Sequence, residues 1–154
     1  MKRRKALTSL GFLTFAASSL FSKEKNPGSK KQAIDTKMAP QAIGPYSQGI
    51  VSNGFVFASG SIAIDPASGK LSTGSVDEQT RLALTNLKGV IEAGGSSMDK
   101  VVKCTVFLQD MNDYGAMNAV YAEFFKAPYP ARAAVQVARL PKDVKVEIEA
   151  IAEI

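Results

Sequence analysis

The chain has 154 residues, enough for one domain plus a leader, and its 45% hydrophobic residues can fill a core. It has no His and one Cys, which excludes the commonest general base, the commonest zinc ligand, an internal disulfide and any cysteine-cluster metal site. The net charge of +5 sits in residues 1–31, which hold eight of the 19 bases and one of the 14 acids; the rest carries 11 bases against 13 acids, so the domain offers no electrostatic case for binding nucleic acid.

Residues 1–22 read as a targeting segment. Lys2-Arg3-Arg4-Lys5 is a basic start, and 6–21 is an apolar block too short and too rich in Ser and Thr for a membrane span. Ala17-Ser18-Ser19 offers small residues for cleavage. Arg3-Arg4 permits a twin-arginine reading, although Ala6 stands where a bulky aromatic is usual. The block form favours export to the periplasm over an organellar or cytoplasmic location. Residues 22–31 are polar, with Pro27-Gly28, and read as a linker; ordered structure is expected near Gln32.

Residues 39–46, with two prolines and a glycine, predict an ordered loop. Strands over 47–52 and 55–64 flank Asn53-Gly54, a pair suited to a hairpin because both central residues need positive φ. Gly60 within the second strand suggests a bulge or a close backbone approach. The spacing of Val76, Ala83, Leu87 and Val90 predicts a helix over 76–93, capped by Ser75, with Asp77 and Glu78 in its first turn and Gly94-Gly95 at its end. VVKCTVFLQ (101–109) is rich in β-branched residues and predicts a strand, with Cys104 as a small buried apolar residue. A second helix is expected over 114–125 from Met117, Val120, Tyr121 and Phe124, and APYP (127–130) stops it.

Two strand-like runs close the chain, 133–139 and 145–154. In the last, Val146, Ile148, Ala150 and Ala152 face one way; Lys145, Glu147, Glu149, Ile151 and Glu153 face the other. The order β-β-α-β-α-β-β predicts an α+β fold, one sheet with both helices on one face. The bare face of the sheet then calls for a homo-oligomer.

Arg132 is fixed between Pro130-Ala131 and a strand, and Glu147 lies on the next run, so adjacent strands would border one cleft with both. Arg132 reads as a bidentate grip on a carboxylate or as a structural ion pair. Glu147 reads as a partner for a water or as a solvated strand charge. Tyr46 is a phenol on a rigid loop or a half-buried aromatic. Ser59-Gly60 offers a hydroxyl and a backbone N–H, or simply packs at a bulge. Asn118 is a helix residue near the core stripe, a site residue or an exposed one. No phosphate loop, metal motif or Ser/His/Asp arrangement is present.

IGPYSQG (43–49), the SG of FASGSIAI, NAVYAEFF (118–125) and PARAAVQVARLPKDVKVEIEAIA (130–152) together resemble the RidA/YjgF/YER057c/UK114 family. The resemblance spans 38–154, so the layout is a leader over 1–22, a linker over 23–37 and one RidA-like domain. It implies a chorismate-mutase-like fold and a homotrimer with a barrel-like core and active sites between subunits. The implied activity is hydrolysis of reactive 2-imino or enamino acids, such as 2-iminobutanoate and 2-iminopropanoate, to 2-oxo acids and ammonia, without metal or cofactor. Carried over by motif, Arg132 binds the substrate carboxylate and Glu147 partners the water. Tyr46, Ser59, Gly60 and Asn118 line the site, and the backbone at Ala134 contributes. Ala134 stands where a cysteine is common, and Ser61 where many members have Gln. A non-catalytic ligand-binding or chaperone-like trimer is the alternative; a ribonuclease or translation inhibitor is weaker, given the acidic domain and absent His.

Overall fold

The computed structural model describes residues 31–154; the leader over 1–22 and the linker up to residue 30 lie outside them. Six strands make one mixed sheet: β1 (Gln32–Ile34), β2 (Gly49–Ser52), β3 (Phe55–Ser61), β4 (Val101–Leu108), β5 (Ala131–Gln136) and β6 (Val146–Glu153). Helix α1 (Val76–Ala93) follows β3, and α2 (Tyr114–Phe124) joins β4 to β5. The sheet order is β1-β2-β3-β6-β4-β5, antiparallel except for the parallel pair β4–β5.

Most local expectations hold for identifiable reasons. Asn53 and Gly54 take φ of 52° and 79°, as a tight hairpin requires. Helix α1 starts where Glu78 accepts a bond from the Ser75 N–H (2.9 Å) and ends at Gly95, whose φ is 85°. In β3 the partners Ala58↔Ala150 and Ser61↔Ile148 leave Ser59 and Gly60 together opposite one residue of β6, the bulge that Gly60 suggests.

Two expectations need correction. Ordered structure begins at Gln32 as expected, but the linker drawn to residue 37 is too long, because 32–34 is a strand: β1 pairs with β2 and buries Ile34 beside α1. More consequentially, β5 and β6 are not neighbours. A parallel pair needs a crossover, and α2 supplies it by carrying the chain from β4 to β5 on the outer side. The last strand then enters between β3 and β4.

Both helices cover one face. Leu84, Leu87 and Ile91 of α1 and Met117 and Tyr121 of α2 join Val56, Cys104, Val106, Leu108, Ile148 and Ala150 in one core. Each large aliphatic side chain buried there contributes about 1.5–3 kcal/mol. Asn86, buried in α1, donates to the carbonyls of Ile62 (3.0 Å) and Ile64 (2.8 Å) and fixes the exit of β3. Gln79 accepts from the Lys145 N–H (2.9 Å), fixing the entry to β6 beside Glu147. On the opposite face Phe57, Thr105, Phe107 and Ile151 are exposed or only partly buried.

Candidate active site

The predicted site residues fall into two clusters on opposite faces of the sheet. Directly paired residues share a face. Arg132 of β5 stands opposite Cys104 of β4, which is buried beneath the helices. Glu147 of β6 stands opposite Phe107 of β4, which points the other way. With β4 between them and their faces opposed, Arg132 and Glu147 share no cleft within one chain. The expectation that adjacent strands would bring them together is thereby overturned.

The first cluster surrounds Arg132. Its Nη2 donates to the Tyr114 hydroxyl at 2.8 Å, and its Cζ lies 4.4 Å from the centroid of the Tyr121 ring. Asn118 is one turn from Tyr114 and one turn from Tyr121, hence on the same face of α2. Ala134, two residues beyond Arg132, points the same way and packs against the core. Among the described residues Arg132 has no carboxylate within ion-pair distance, whereas Arg81 pairs with Glu123 (2.5 Å) and Arg139 with Asp143 (2.6 Å). The structural ion pair, the competing reading of Arg132, is therefore absent among those residues.

The second cluster surrounds Glu147. Its carboxylate lies over Gly60, in the space that a side chain there would take. Burial, and then the charge of Glu149, push its carboxyl above the usual range. Ser59 sits at the adjoining bulge and donates its hydroxyl to the Ser47 carbonyl (2.7 Å), which ties the loop bearing Tyr46 to β3. Tyr46 itself is exposed, its hydroxyl accepting from the Ile43 N–H at 3.4 Å. No basic side chain pairs with Glu147 among the described residues.

Three contributors escape a reading of the sequence alone. Gln48, buried, anchors the loop before β2 through Thr36 and the carbonyls of Ala39 and Pro40. Its place within IGPYSQG was the available signal. Tyr121 reads as core from its helical spacing, and Tyr114 as a helix start; no spacing rule links either to an arginine on another element. No group of His, Cys, Asp and Glu able to hold a metal occurs among the described residues, nor does a helix long and apolar enough to cross a membrane.

A six-stranded mixed sheet with two helices on one face and two separated polar clusters of opposite charge defines the class of this α+β protein. A family model described as endoribonuclease L-PSP matches residues 36–154. The chain belongs to that family, the RidA/YjgF family. It is 49% identical over 122 residues to the 2-iminobutanoate/2-iminopropanoate deaminase of Capra hircus, covering 79% of this chain and 89% of that protein. A RutC family protein of Pyrococcus horikoshii is 53% identical over 122 residues, covering 79% and 97%. The crystal structure of Escherichia coli TdcF with bound serine superposes with a TM-score of 0.76 at 48% identity, covering 80% of this chain and 98% of that one.

Proposed function

We propose that the protein hydrolyses reactive 2-imino and enamino acids, 2-iminobutanoate and 2-iminopropanoate among them, to 2-oxo acids and ammonia. The observation that carries this reading is Arg132: an oriented guanidinium with phenols for partners and no carboxylate among the described residues. Such a group retains its charge for an incoming organic acid. The naming of the goat relative as a deaminase supports the substrate class, and the serine bound to TdcF supports a small amino-acid-like ligand.

Each cluster lacks the charge that the other carries. We therefore place the site between subunits of a homotrimer, Arg132 from one chain facing Glu147, Gly60, Ser59 and Tyr46 of the next. Asn118 and the backbone at Ala134 complete the Arg132 side. Arg132 holds the carboxylate and so fixes the imine carbon. Glu147 takes a proton from water as its oxygen adds to that carbon, giving a carbinolamine. Glu147 returns that proton to nitrogen as the C–N bond breaks, the carbinolamine hydroxyl passes its own proton to Glu147 as the carbonyl forms, and ammonia leaves with the 2-oxo acid. A carboxyl pushed upward suits both taking and returning a proton. The protonated imine is already electrophilic, so the residues need supply only position and proton transfer.

The test couples a threonine dehydratase, which releases 2-iminobutanoate, to this protein and follows 2-oxobutanoate. Faster release supports the reading. Binding of 2-oxobutanoate without faster release favours the non-catalytic ligand-binding trimer. Export through the leader over 1–22 is a separate proposal, checked by cell fractionation and sequencing of the mature N-terminus.

A further inference from the structure

We infer that Tyr114 and Tyr121 are positioning residues that hold the Arg132 guanidinium in its binding orientation with neutral groups, leaving its charge for the substrate. The inference deepens the deaminase reading and rests on it.

The three arginines among the described residues make the contrast. Arg81 and Arg139 spend their forks on carboxylates, Glu123 and Asp143. Arg132 instead lies between two rings of one helix. Its Cζ is 4.4 Å from the Tyr121 centroid and 5.6 Å from that of Tyr114, whose hydroxyl accepts from Nη2. Tyr114 and Tyr121 are two turns apart on α2, so one helix face presents both.

The cradle is itself supported. Tyr121 is 5% exposed and packs against Phe125, with ring centroids 4.4 Å apart. Burial, followed by the adjacent Cys104 thiol, pushes its phenol far above the ordinary range, so it stays neutral. A ring face attracts a cation through its quadrupole without neutralising it. A carboxylate in the same place would satisfy the fork and compete with the substrate for it. A free arginine side chain also samples many rotamers, and the two tyrosines hold it in one arrangement before substrate arrives.

The test uses the full-length protein with Tyr114→Phe, Tyr114→Glu and Tyr121→Leu, each alone and combined with Arg132→Lys. Imine hydrolysis and titration with 2-oxobutanoate are the readouts, with oligomeric state and Tm as checks on folding. Tyr114→Phe is expected to raise KM about fivefold with little change in kcat. Tyr121→Leu is expected to raise KM about threefold to 30-fold. Tyr114→Glu should raise it furthest, because it supplies the competing charge. With Arg132→Lys in place, each tyrosine substitution should add less than about twofold, since its partner is already altered. Equal fold-losses in both backgrounds, or a wild-type KM in Tyr114→Glu, would overturn the inference. If Tyr121→Leu fails to fold, the two variants at exposed Tyr114 decide it. A wild-type protein that binds 2-oxobutanoate but releases no product defeats the deaminase reading alone; the positioning role then stands or falls on whether Tyr114→Glu abolishes that binding. A wild-type protein that does neither defeats both.

Discussion

Glu147 occupies the volume that a side chain on residue 60 would require: its Cδ lies 2.8 Å from where a Cβ on Gly60 would stand. Gly60 is exposed at the bulge and has no left-handed φ, so alanine there fits the backbone. Gly60→Ala should fold, with Tm little changed, yet displace the carboxylate. A shift of about 1 Å in a reacting group costs on the order of 100-fold, so kcat should drop by about 10- to 100-fold. Wild-type kcat in a well-folded Gly60→Ala would show that Glu147 does not act from this position.

Arg132→Lys keeps the charge and loses the planar fork. A bidentate, charge-assisted contact contributes about 1.5–3 kcal/mol, so kcat/KM should fall about 10- to 150-fold. The molar mass from light scattering should match wild type. Kinetics indistinguishable from wild type would remove the carboxylate grip.

Glu147→Gln should separate stability from activity. A carboxyl raised by burial and by Glu149 holds its proton more tightly in the folded than in the unfolded chain. Its penalty on folding is fully present above the raised value and vanishes below the ordinary 4.5. Glu147→Gln should therefore have a higher Tm than wild type at pH 7, with the gap closing as pH falls from the raised value to that ordinary one. Turnover should be lost in Glu147→Gln, and the wild-type kcat/KM profile should show an acid limb above the ordinary carboxylate range. Thermal melts across pH, paired with rates, check both halves.

Subunit mixing tests where the two charges meet. Arg132→Ala and Glu147→Gln are each expected to be nearly inactive. Co-refolded in equal amounts, they should regain activity, because about a quarter of the clefts in randomly mixed cyclic trimers pair an intact Arg132 with an intact Glu147. No recovery from a mixed trimer would place both groups in a site built by one chain.

How much of this was legible in the residues depends on range. Short-range signals carried through: Ser75 with Glu78 and the terminal glycine bounded α1, Asn53-Gly54 set the hairpin, and the alternation from Val146 to Ala152 set which side of β6 is buried. Strand neighbours were not legible by those means. The residues between Gln136 and Val146 carry no two-residue hairpin signal and are too many for one, which argues against simple adjacency of β5 and β6. The candidate site residues were chosen from motifs, but their division between faces was not readable, because it depends on which strand lies in the middle. The tyrosines around Arg132 were hidden by their double use: Tyr121 fills the core with one side of its ring and supports a charge with the other.

Strand β4, lying between β5 and β6, has a consequence for how the protein behaves on dilution. It keeps the guanidinium and the carboxylate on opposite sides, so under the proposed intersubunit site a solitary polypeptide should be chemically idle. Specific activity should then be flat at high protein concentration and collapse once copies part, and newly made chains should stay inert until they meet.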